Sequence, residues 1–437
     1  MEKMNSDIYV NPAHKFYGEF VKLVKKALPS VSINDFTVEE FIQMGKHGKY
    51  WKIFQYAEEI SKLLHFGYDQ DFVVVHYKPY YAIAATLAED KESGITFDNM
   101  WDAWDGILRS SRGIVFHRYS GDLVINPYSK FFNIDEREEC SVEKVAERAK
   151  NATVVEYTEK LDGSMINGRW YNGKLVLASS NNVDRNVSIQ LDEAYKIISP
   201  NIIEAMQKYH NLTFIFELIS PIDPHVVRYD SVRELVLIGI KSTNSEYTFP
   251  YKRVREIAKE FRIPHAAIYK YTLDDILKMR DDKKAFEAEG FVANFDGYRV
   301  KIKYDDYMKL HNAITNLTPN KIIKAIADEE LKDILLACRG REDFVCEVAD
   351  KVSRYVDQLD REVKEEYDWT LKELGKDCER KAFMIYIGKM IPAPLRKYLI
   401  MLYDGVYDKS YLLKMKSGRY TKFDEIEEYL NKLTRAS

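Results

Sequence analysis

The sequence contains only four cysteines in 437 residues, at positions 140, 338, 346 and 378. None of them forms a C-x-x-C pair, so the sequence does not predict a zinc ribbon and favours a reducing compartment. No apolar run approaches the roughly 18 residues of a membrane-spanning helix, and the first residues, MEKMNSDIYVNP, lack the apolar segment of a signal peptide. We therefore expect a soluble, cytoplasmic protein that does not associate with membranes.

Several common catalytic motifs are also absent. There is no G-x-x-x-x-G-K-[ST] loop, no G-x-G-x-x-G, no H-E-x-x-H and no G-x-S-x-G, which argues against the chemistry that each motif supports. Nine histidines are scattered without metal-ligand spacing. The formal net charge of −4 excludes a polycation that coats nucleic acid, although a local basic groove is compatible with it.

The length predicts two or three domains, and an apolar fraction of 46% is enough for a sizeable core. Residues 1–100 mix helical and strand signals and are predicted to form an N-terminal α/β subdomain packed on the catalytic core, with residues 71–87 extended. Residues 101–310 are rich in short apolar runs, and residues 311–437 have helical periodicity. The predicted fold class is α+β, with antiparallel sheets followed by an all-helical C-terminal domain.

Turn signals divide the strand-rich region. Asn172-Gly173 and Asp296-Gly297 each separate two apolar runs, which is typical of β-hairpins. Helical patterns interrupt this region near residues 189–209, 251–262 and 273–280. Strands and helices in no regular alternation favour antiparallel sheets.

The most informative segment reads Lys160-Leu161-Asp162-Gly163 and follows an extended run. A lysine nucleophile must lose its proton, so positive charge nearby or burial is expected to lower its pKa. The alternative interpretation is a charged turn that closes a strand.

This segment resembles the K-x-D-G signature of covalent nucleotidyltransferases, which include DNA ligases, RNA ligases and mRNA capping enzymes. Further matches follow in the family's order: Glu217 in FELISP, Glu289 in an E-G-[YF]-V pattern, and Lys301 and Lys303 in a K-x-K strand. Strand alternation puts both of these lysines on one face. Taken singly, each match has another interpretation. Glu217 could be a hydrogen-bonded acid of a strand, and residues 301–303 could be a strand face exposed to solvent.

Within this superfamily the sequence is most similar to the phage RNA ligase 1 family. Two segments carry the likeness, Ser110–Phe116 (SSRGIVF) and Lys130–Asn133 (KFFN). The helical tail agrees with it, because DNA ligases and capping enzymes have a β-rich domain after K-x-K. One departure is a family lysine that is missing near Ser180, where Lys174 is the nearest replacement.

The resemblance implies a nucleotidyltransferase domain with ATP-grasp-like antiparallel sheets and an ATP-dependent RNA ligase. Such an enzyme joins RNA 5′-phosphate and 3′-hydroxyl ends through a lysyl-AMP and an RNA-adenylate, in RNA or tRNA repair. The resemblance implies ATP as substrate, Mg²⁺ as metal (Mn²⁺ can substitute) and RNA as partner. It also implies a monomer without an obligate protein partner, located in the cytoplasm, or in the host cytoplasm if the protein is viral.

The resemblance also assigns roles to individual residues. The catalytic residues are Lys160, Asp162, Lys301 and Lys303. The metal ligands are Glu217 and Glu289. The nucleotide contacts are Arg112, Lys130, Glu159, Lys160, Gly163, Glu217, Val292, Lys301 and Lys303. Ile238 and Ile240 are either apolar walls for adenine or core residues.

Two other functions are compatible with the same motifs. One is another covalent nucleotidyltransferase, either a DNA ligase or a GTP-using capping enzyme. The other is a non-catalytic RNA-binding relative of a ligase. The retained lysine and both glutamates argue against the second alternative.

Overall fold

The computed structural model describes residues 11–27, 37–38, 61–89, 94–96, 99–282, 284, 286–314, 317–338, 342–414 and 418–436. The chain divides into two compact units, Met1–Tyr307 and Met308–Ser437. Much of the predicted N-terminal subdomain, residues 1–100, lies outside the described residues. Its existence as a separate subdomain therefore stays a prediction.

The described strands of the first unit form three four-stranded antiparallel sheets, ordered β1-β2-β3-β4, β10-β5-β11-β12 and β7-β6-β8-β9. The fold class predicted from the sequence is confirmed. The strands are β1 Leu64–Tyr68, β2 Phe72–Tyr77, β3 Arg112–His117, β4 Leu123–Ile125, β5 Val155–Lys160, β6 Ser164–Tyr171, β7 Lys174–Ala178, β8 Leu212–Ile219, β9 Glu234–Ser242, β10 Ile268–Tyr269, β11 Gly290–Phe295 and β12 Tyr298–Lys303.

Both predicted hairpins are present. Asn172 (φ 48°) and Gly173 (φ 79°) connect β6 to β7, and Asp296 (φ 51°) and Gly297 (φ 96°) connect β11 to β12. Two successive residues with positive φ form the turn whose twist matches that of the flanking strands, which is why Asn-Gly and Asp-Gly are favoured there. The second hairpin fixes the register of Lys301 and Lys303.

The helices of the first unit include the three helical regions predicted between residues 189 and 280. The expectation that residues 71–87 are extended is wrong beyond Tyr77, because a helix begins at Tyr80. The helices among the described residues of this unit are Pro12–Ala27, Tyr80–Glu89, Ile107–Ser110, Val142–Asn151, Ile189–Ile197, Pro200–Lys208, Tyr251–Glu260, Leu273–Lys278 and Asp305–Ile314, the last of which continues beyond Tyr307.

The second unit is helical and has its own apolar core, which is drawn from residues between 317 and 426. No helix in the described part of the chain is long and apolar enough to cross a membrane. The helices of this unit are Pro319–Ala327, Leu331–Ala337, Glu342–Leu374, Arg380–Met390, Ala393–Tyr403 and Phe423–Ala436.

Candidate active site

The sheet β10-β5-β11-β12 aligns the motif residues in ranks across its face. Lys160 on β5 pairs with Gly290 on β11, which pairs with Lys303 on β12. The next rank on this face is Thr158, Val292 and Lys301. Side chains of a strand alternate between faces, so residues two apart share a face. Three motifs that are far apart in the sequence therefore meet on one surface.

A cavity of about 340 Å³ lies over this face. The segment Ala178–Asn181, in which the sequence lacks the family lysine, borders it through Ser180. Seven of the sequence-predicted site residues line the cavity: Arg112, Glu159, Lys160, Gly163, Glu217, Val292 and Lys301. Of the other four, Glu289 and Lys303 are linked to the cavity through Lys160, Asp162 precedes the lining residue Gly163, and Lys130 lines a neighbouring cavity.

Lys160 is held by a buried carboxylate. Its Nζ lies 2.7 Å from Oε2 of Glu289, and Nζ of Lys303 lies 2.8 Å from Oε1 of the same side chain. The Glu289 side chain is 4% exposed, so two lysines share one carboxylate away from solvent. Burial acts to raise the pKa of Glu289, but Lys160 and Lys303 outweigh burial and lower it.

The direction of the pKa shift at Lys160 corrects the sequence-based expectation. Burial alone lowers the pKa of Lys160, but the carboxylates of Glu289, Glu217 and Asp162 raise it above its usual value. The expectation of a lowered pKa assumed that lysines would be the dominant neighbours. In this structure Lys160 is an ammonium group that is stabilised by acids, and it must be deprotonated before it can attack.

Glu217 is the second acid beside Lys160. It lies in β8, and its Oε1 accepts a hydrogen bond from the backbone N of Gly163 at 3.1 Å. Gly163 is required for this approach, because a Cβ there would lie 2.3 Å from the carbonyl oxygen of Leu218. Burial raises the pKa of Glu217 to about 7, against the lowering effect of Lys160.

This raised pKa makes stability depend on Glu217. The folded state holds the proton to a higher pH than the unfolded chain, so Glu217 costs stability as pH rises from about 4.5 to about 7. We expect Glu217→Gln to raise the free energy of unfolding at pH 8 by up to about 3 kcal/mol, with little change at pH 5. Denaturant unfolding at both pH values measures this.

The exposed Glu204→Gln is the matched control for this experiment, since its side chain lies on the outer face of the helix Pro200–Lys208. It should leave the free energy of unfolding unchanged at both pH values. A Glu217→Gln protein that is less stable than the wild type at pH 8 would contradict the prediction.

Asp162 is buried and fully bonded. Its Oδ2 accepts from the backbone N of Val227 at 2.9 Å, and its Oδ1 accepts from the hydroxyl of Tyr307 at 2.7 Å. Its own backbone N donates to the hydroxyl of Tyr229 at 2.9 Å. Neither tyrosine lies in a nucleotidyltransferase motif found in the sequence, so neither could be predicted as part of the site.

His225 also approaches Asp162 and was missed. Its Nδ1 lies 3.7 Å from Oδ1 of Asp162, and its Nε2 lies 3.2 Å from Oδ2 of Asp223. Burial lowers the pKa of His225, but Asp223 and Asp162 outweigh burial and raise it. Asp223 and Asp162 therefore favour the protonated form of this imidazole.

Lys130, predicted to contact phosphates, lies among aromatic rings. Its Nζ is 5.2 to 6.0 Å from the ring centres of Tyr77, Tyr80, Trp101 and Phe132. Burial, together with Arg112, lowers the pKa of Lys130 to about 8, although Glu136 acts to raise it. The rings stabilise the cation where few carboxylates do so.

Lys301 and Arg112 lie against the ring of Phe131, at 4.9 and 5.4 Å from its centre. Burial lowers the pKa of Lys301 well below its usual value, and the charges of Arg112, Lys130 and Lys160 lower it further. Lys301, Arg112 and Lys130 repel one another, so together they create a site that favours an anion.

The two isoleucines, for which the sequence left wall and core positions open, differ in their position. Val292 and Ile238 line the cavity, whereas Ile240 is fully buried in the core. The pairing of β8 with β9 shifts by one residue, because Ile215 pairs with Gly239 and Phe216 with Leu237. Ile238 is the extra residue of this β-bulge, and bulges commonly redirect a side chain beside a site.

Lys174 does not replace the missing family lysine. Its Nζ lies 3.2 Å from Oδ2 of Asp71, its side chain is 69% exposed, and it is not part of the cavity wall. Lys174 therefore cannot take the place of the family lysine that is missing near Ser180.

The acids fit a metal that is held partly by a substrate. Within the described ranges there is no cluster of three or more His, Cys, Asp or Glu side chains that could hold an ion. Both oxygens of Glu289 bind lysines, while Glu217 has one backbone donor. Mg²⁺ is commonly bound by one or two carboxylates plus substrate phosphates and water, which this pair of acids can provide.

Comparison with known proteins identifies relatives. Residues 110–307 match the T4-type family model described as RNA ligase. A putative RNA ligase of Thermovibrio ammonificans is 29% identical over 240 residues, which cover 52% of this chain and 60% of that protein. An RNA ligase of Rhodothermus phage RM378 is 21% identical over 435 residues, covering 83% of this chain and 96% of that protein.

Solved structures give a partial match. A Naegleria gruberi RNA ligase with pyrophosphate has a TM-score of 0.34 and 19% identity over 42% of this chain and 57% of its own. A variant of that ligase with ATP and Mn has a TM-score of 0.34 and 20% identity over 42% of this chain and 58% of its own. Among the sequence relatives, the chain spans 60% of the length of the Thermovibrio protein. Over residues 110–307 the chain is similar to the T4-type RNA ligase family.

Proposed function

We propose that the chain is an ATP-dependent RNA ligase that joins 5′-phosphate and 3′-hydroxyl ends, in RNA or tRNA repair. One observation carries the proposal. Lys160, Glu289 and Lys303 form a buried ion-pair cluster at one end of a cavity whose walls include Arg112, Lys301 and Glu217. This arrangement offers an amine nucleophile, anion-binding cations and acids for a metal within one enclosed space.

The proposed reaction has three steps. Lys160 Nζ attacks the α-phosphorus of ATP, the bond to the β-phosphate oxygen breaks, and pyrophosphate leaves. An oxygen of the RNA 5′-phosphate then attacks the lysyl-AMP phosphorus, which breaks the N–P bond and returns Lys160 to an amine. Finally the RNA 3′-hydroxyl attacks the activated 5′-phosphate, AMP leaves, and a phosphodiester forms.

The first step requires a neutral amine at Lys160. Glu289 stabilises the ammonium form in this structure, so its hold on Lys160 must weaken when ATP binds. Lys303, already on the other oxygen of Glu289, competes for the same carboxylate. Lys303 therefore acts to release Lys160 as well as to offset phosphate charge.

The cations Lys301, Arg112 and Lys130 are assigned to the phosphates. They lie together with few carboxylates, and burial and mutual repulsion lower the pKa of Lys301 and Lys130. A bound triphosphate would reverse this repulsion, so nucleotide binding and protonation of these lysines should occur together. Mg²⁺, or Mn²⁺ in its place, would be held by Glu217 and Glu289 with the phosphates and would offset negative charge on the reacting phosphate.

Asp162 is assigned to orienting the K-x-D-G turn and to assisting the joining step, and Glu159 to the nucleotide. Asp162 is anchored by Val227 and Tyr307. Glu159 borders the cavity, but its side chain alternates with those of Thr158 and Lys160 to the other face of β5, where its carboxylate accepts from the backbone N of Ala267 at 3.4 Å. Both acids thus have fixed positions before any substrate binds.

Incubation with α-³²P-labelled ATP and Mg²⁺, followed by a denaturing gel, tests the function. We expect label on the protein, its transfer to 5′-phosphorylated RNA, and sealing when a 3′-hydroxyl end is supplied. GTP and DNA ends in parallel test the alternative of a capping enzyme or DNA ligase. Absence of any covalent label would contradict the proposal and favour a non-catalytic RNA-binding protein.

The helical unit is proposed to select RNA and to be dispensable for the first step. The core of this unit, as far as the structure describes it, begins at Leu317, and every proposed nucleotide contact lies before residue 304. We expect a fragment of residues 1–314, which retains Tyr307 beside Asp162, to form lysyl-AMP at a rate within a few-fold of the full chain. Its preference for tRNA-like over unstructured RNA ends should fall.

Some surface charge of this unit is already neutralised. Arg380 Nε and Nη2 each lie 3.0 Å from a carboxylate oxygen of Asp404, and both Arg380 and Lys381 are exposed. Unchanged end preference in a soluble fragment would contradict RNA selection. An insoluble fragment would show instead that the helical unit is needed for folding.

A further inference from the structure

The end of the cavity opposite Lys160 is polar. A third rank on the same face of the sheet pairs Glu156 on β5 with Asn294 on β11, and Asn294 with Arg299 on β12. Ranks on one face are roughly 7 Å apart, so this rank is about 14 Å from Lys160. All three residues line the cavity, yet none of them is needed for the chemistry at Lys160.

Asn294 cannot rotate freely. Its Nδ2 donates to Oε2 of Glu156 at 2.9 Å, and its Oδ1 accepts from the backbone N of Gly297 at 2.9 Å. Turning the amide over would put the carbonyl oxygen against the carboxylate and the amino group against an N–H donor. The positions of donor and acceptor at this residue are therefore fixed.

Glu156 provides the fixed point. Its Oε2 accepts from the backbone N of Tyr251 at 2.8 Å, and its Oε1 accepts from the backbone N of Lys252 at 3.1 Å. These are the first N–H groups of the helix Tyr251–Glu260, which have no partner within the helix. The helix end stabilises the buried carboxylate, and the carboxylate in turn orients Asn294.

The locked amide retains one N–H and one carbonyl lone pair. The adenine edge offers the N6 amino group as donor beside the acceptor N1, whereas guanine presents O6 as acceptor beside the donor N1–H. An asparagine pairs with adenine through one donor and one acceptor together. Because the amide of Asn294 cannot turn over, it can pair with only one of these two orders of donor and acceptor. With ATP as the proposed substrate, that order is the one of adenine.

We propose that Asn294, oriented by Glu156, selects adenine over guanine nucleotides in this cavity. This inference rests on the proposed function, since it takes the cavity as the nucleoside triphosphate site. The first two ranks and Ile238 then enclose the phosphates, ribose and base, and the third rank contacts the edge of the base. A base without an amino group at C6 offers no donor to the remaining lone pair of Asn294 Oδ1.

Arg299 lies beside Asn294 in the third rank, and both residues also border a neighbouring cavity. Its Nη1 donates to Oγ1 of Thr248 at 3.3 Å and to the carbonyl oxygen of Gly297 at 3.0 Å. Its guanidinium carbon lies 3.9 Å from the ring centre of Tyr128. These contacts hold the guanidinium in the wall shared with a second cavity of about 500 Å³.

Binding of ATP, GTP and purine riboside triphosphate, which lacks the amino group, tests the inference by equilibrium dialysis of the full chain. The wild type should bind ATP about 10- to 100-fold more tightly than the other two, which is the discrimination expected of one bidentate pair. Asn294→Leu should lower this ratio to within about threefold, mainly by weakening ATP binding. The binding of purine riboside triphosphate should be unchanged.

Thr248→Val is the matched control, because it removes a hydrogen bond to Arg299 in the wall of the second cavity and leaves Asn294 in place. It should keep the wild-type ratio. If the wild type binds all three nucleotides equally, the inference is wrong, even if Asn294→Leu fails to fold. If no nucleotide binds, the proposed function itself fails.

Discussion

Lys160→Arg should reduce covalent labelling by α-³²P-labelled ATP to background. A guanidinium stays protonated in proteins and is not a nucleophile at the pH of the assay. It still carries the positive charge that pairs with the buried carboxylate of Glu289, so the variant should fold. Loss of label in this variant would therefore report lost chemistry and not a lost ion pair.

Lys160→Ala should also give no label, but it leaves Glu289 with Lys303 alone and should reduce stability. Lys174→Arg is the matched control, because this lysine is exposed and pairs with Asp71 outside the cavity. It should label like the wild type. Undiminished label in either Lys160 variant would show that another residue carries the adenylate.

Lys301→Ala and Lys303→Ala should each slow lysyl-AMP formation by about 10²- to 10³-fold, the usual cost of removing one preorganised charge-stabilising group. The two defects should differ in their pH dependence. Without Lys303, Glu289 pairs with Lys160 alone and raises its pKa, so the defect should become smaller as pH rises. Removal of Lys301 should give a defect that persists at high pH.

Single-turnover rates between pH 6.5 and 9 separate these outcomes. Lys303→Arg should recover part of the rate, because it restores a cation beside Glu289. The exposed Lys270→Ala should behave as the wild type. Wild-type rates in both alanine variants would mean that the two lysines are only a solvated face of β12.

Much of the candidate site could be predicted because its motifs are local. The K-x-K alternation and the Asp296-Gly297 turn depend on neighbouring residues, and the structure has both as expected. The helix after Pro79 was missed, although Pro at a helix start and the alanine-rich stretch that follows favour one. The valines of β2 predict a strand, but that signal does not apply beyond Tyr77.

The electrostatics of Lys160 could not be predicted in the same way. Its pKa depends on Glu289, which is 129 residues away and is brought to it by the pairing of β5 with β11. The ring cage of Lys130 likewise comes from separate segments of the chain. Only the tertiary register decides whether acids or bases surround a buried amine.

The bulge at Ile238 also determines how β9 tolerates a change in length. Elsewhere in this strand, loss of one residue would turn every side chain beyond it to the opposite face of the sheet. Ile238 is the residue without a partner in β8, so its removal would leave Leu237 and Gly239 opposite their present neighbours. A single deletion at this position would shorten the chain and remove one wall of the cavity, while the rest of the ladder kept its orientation.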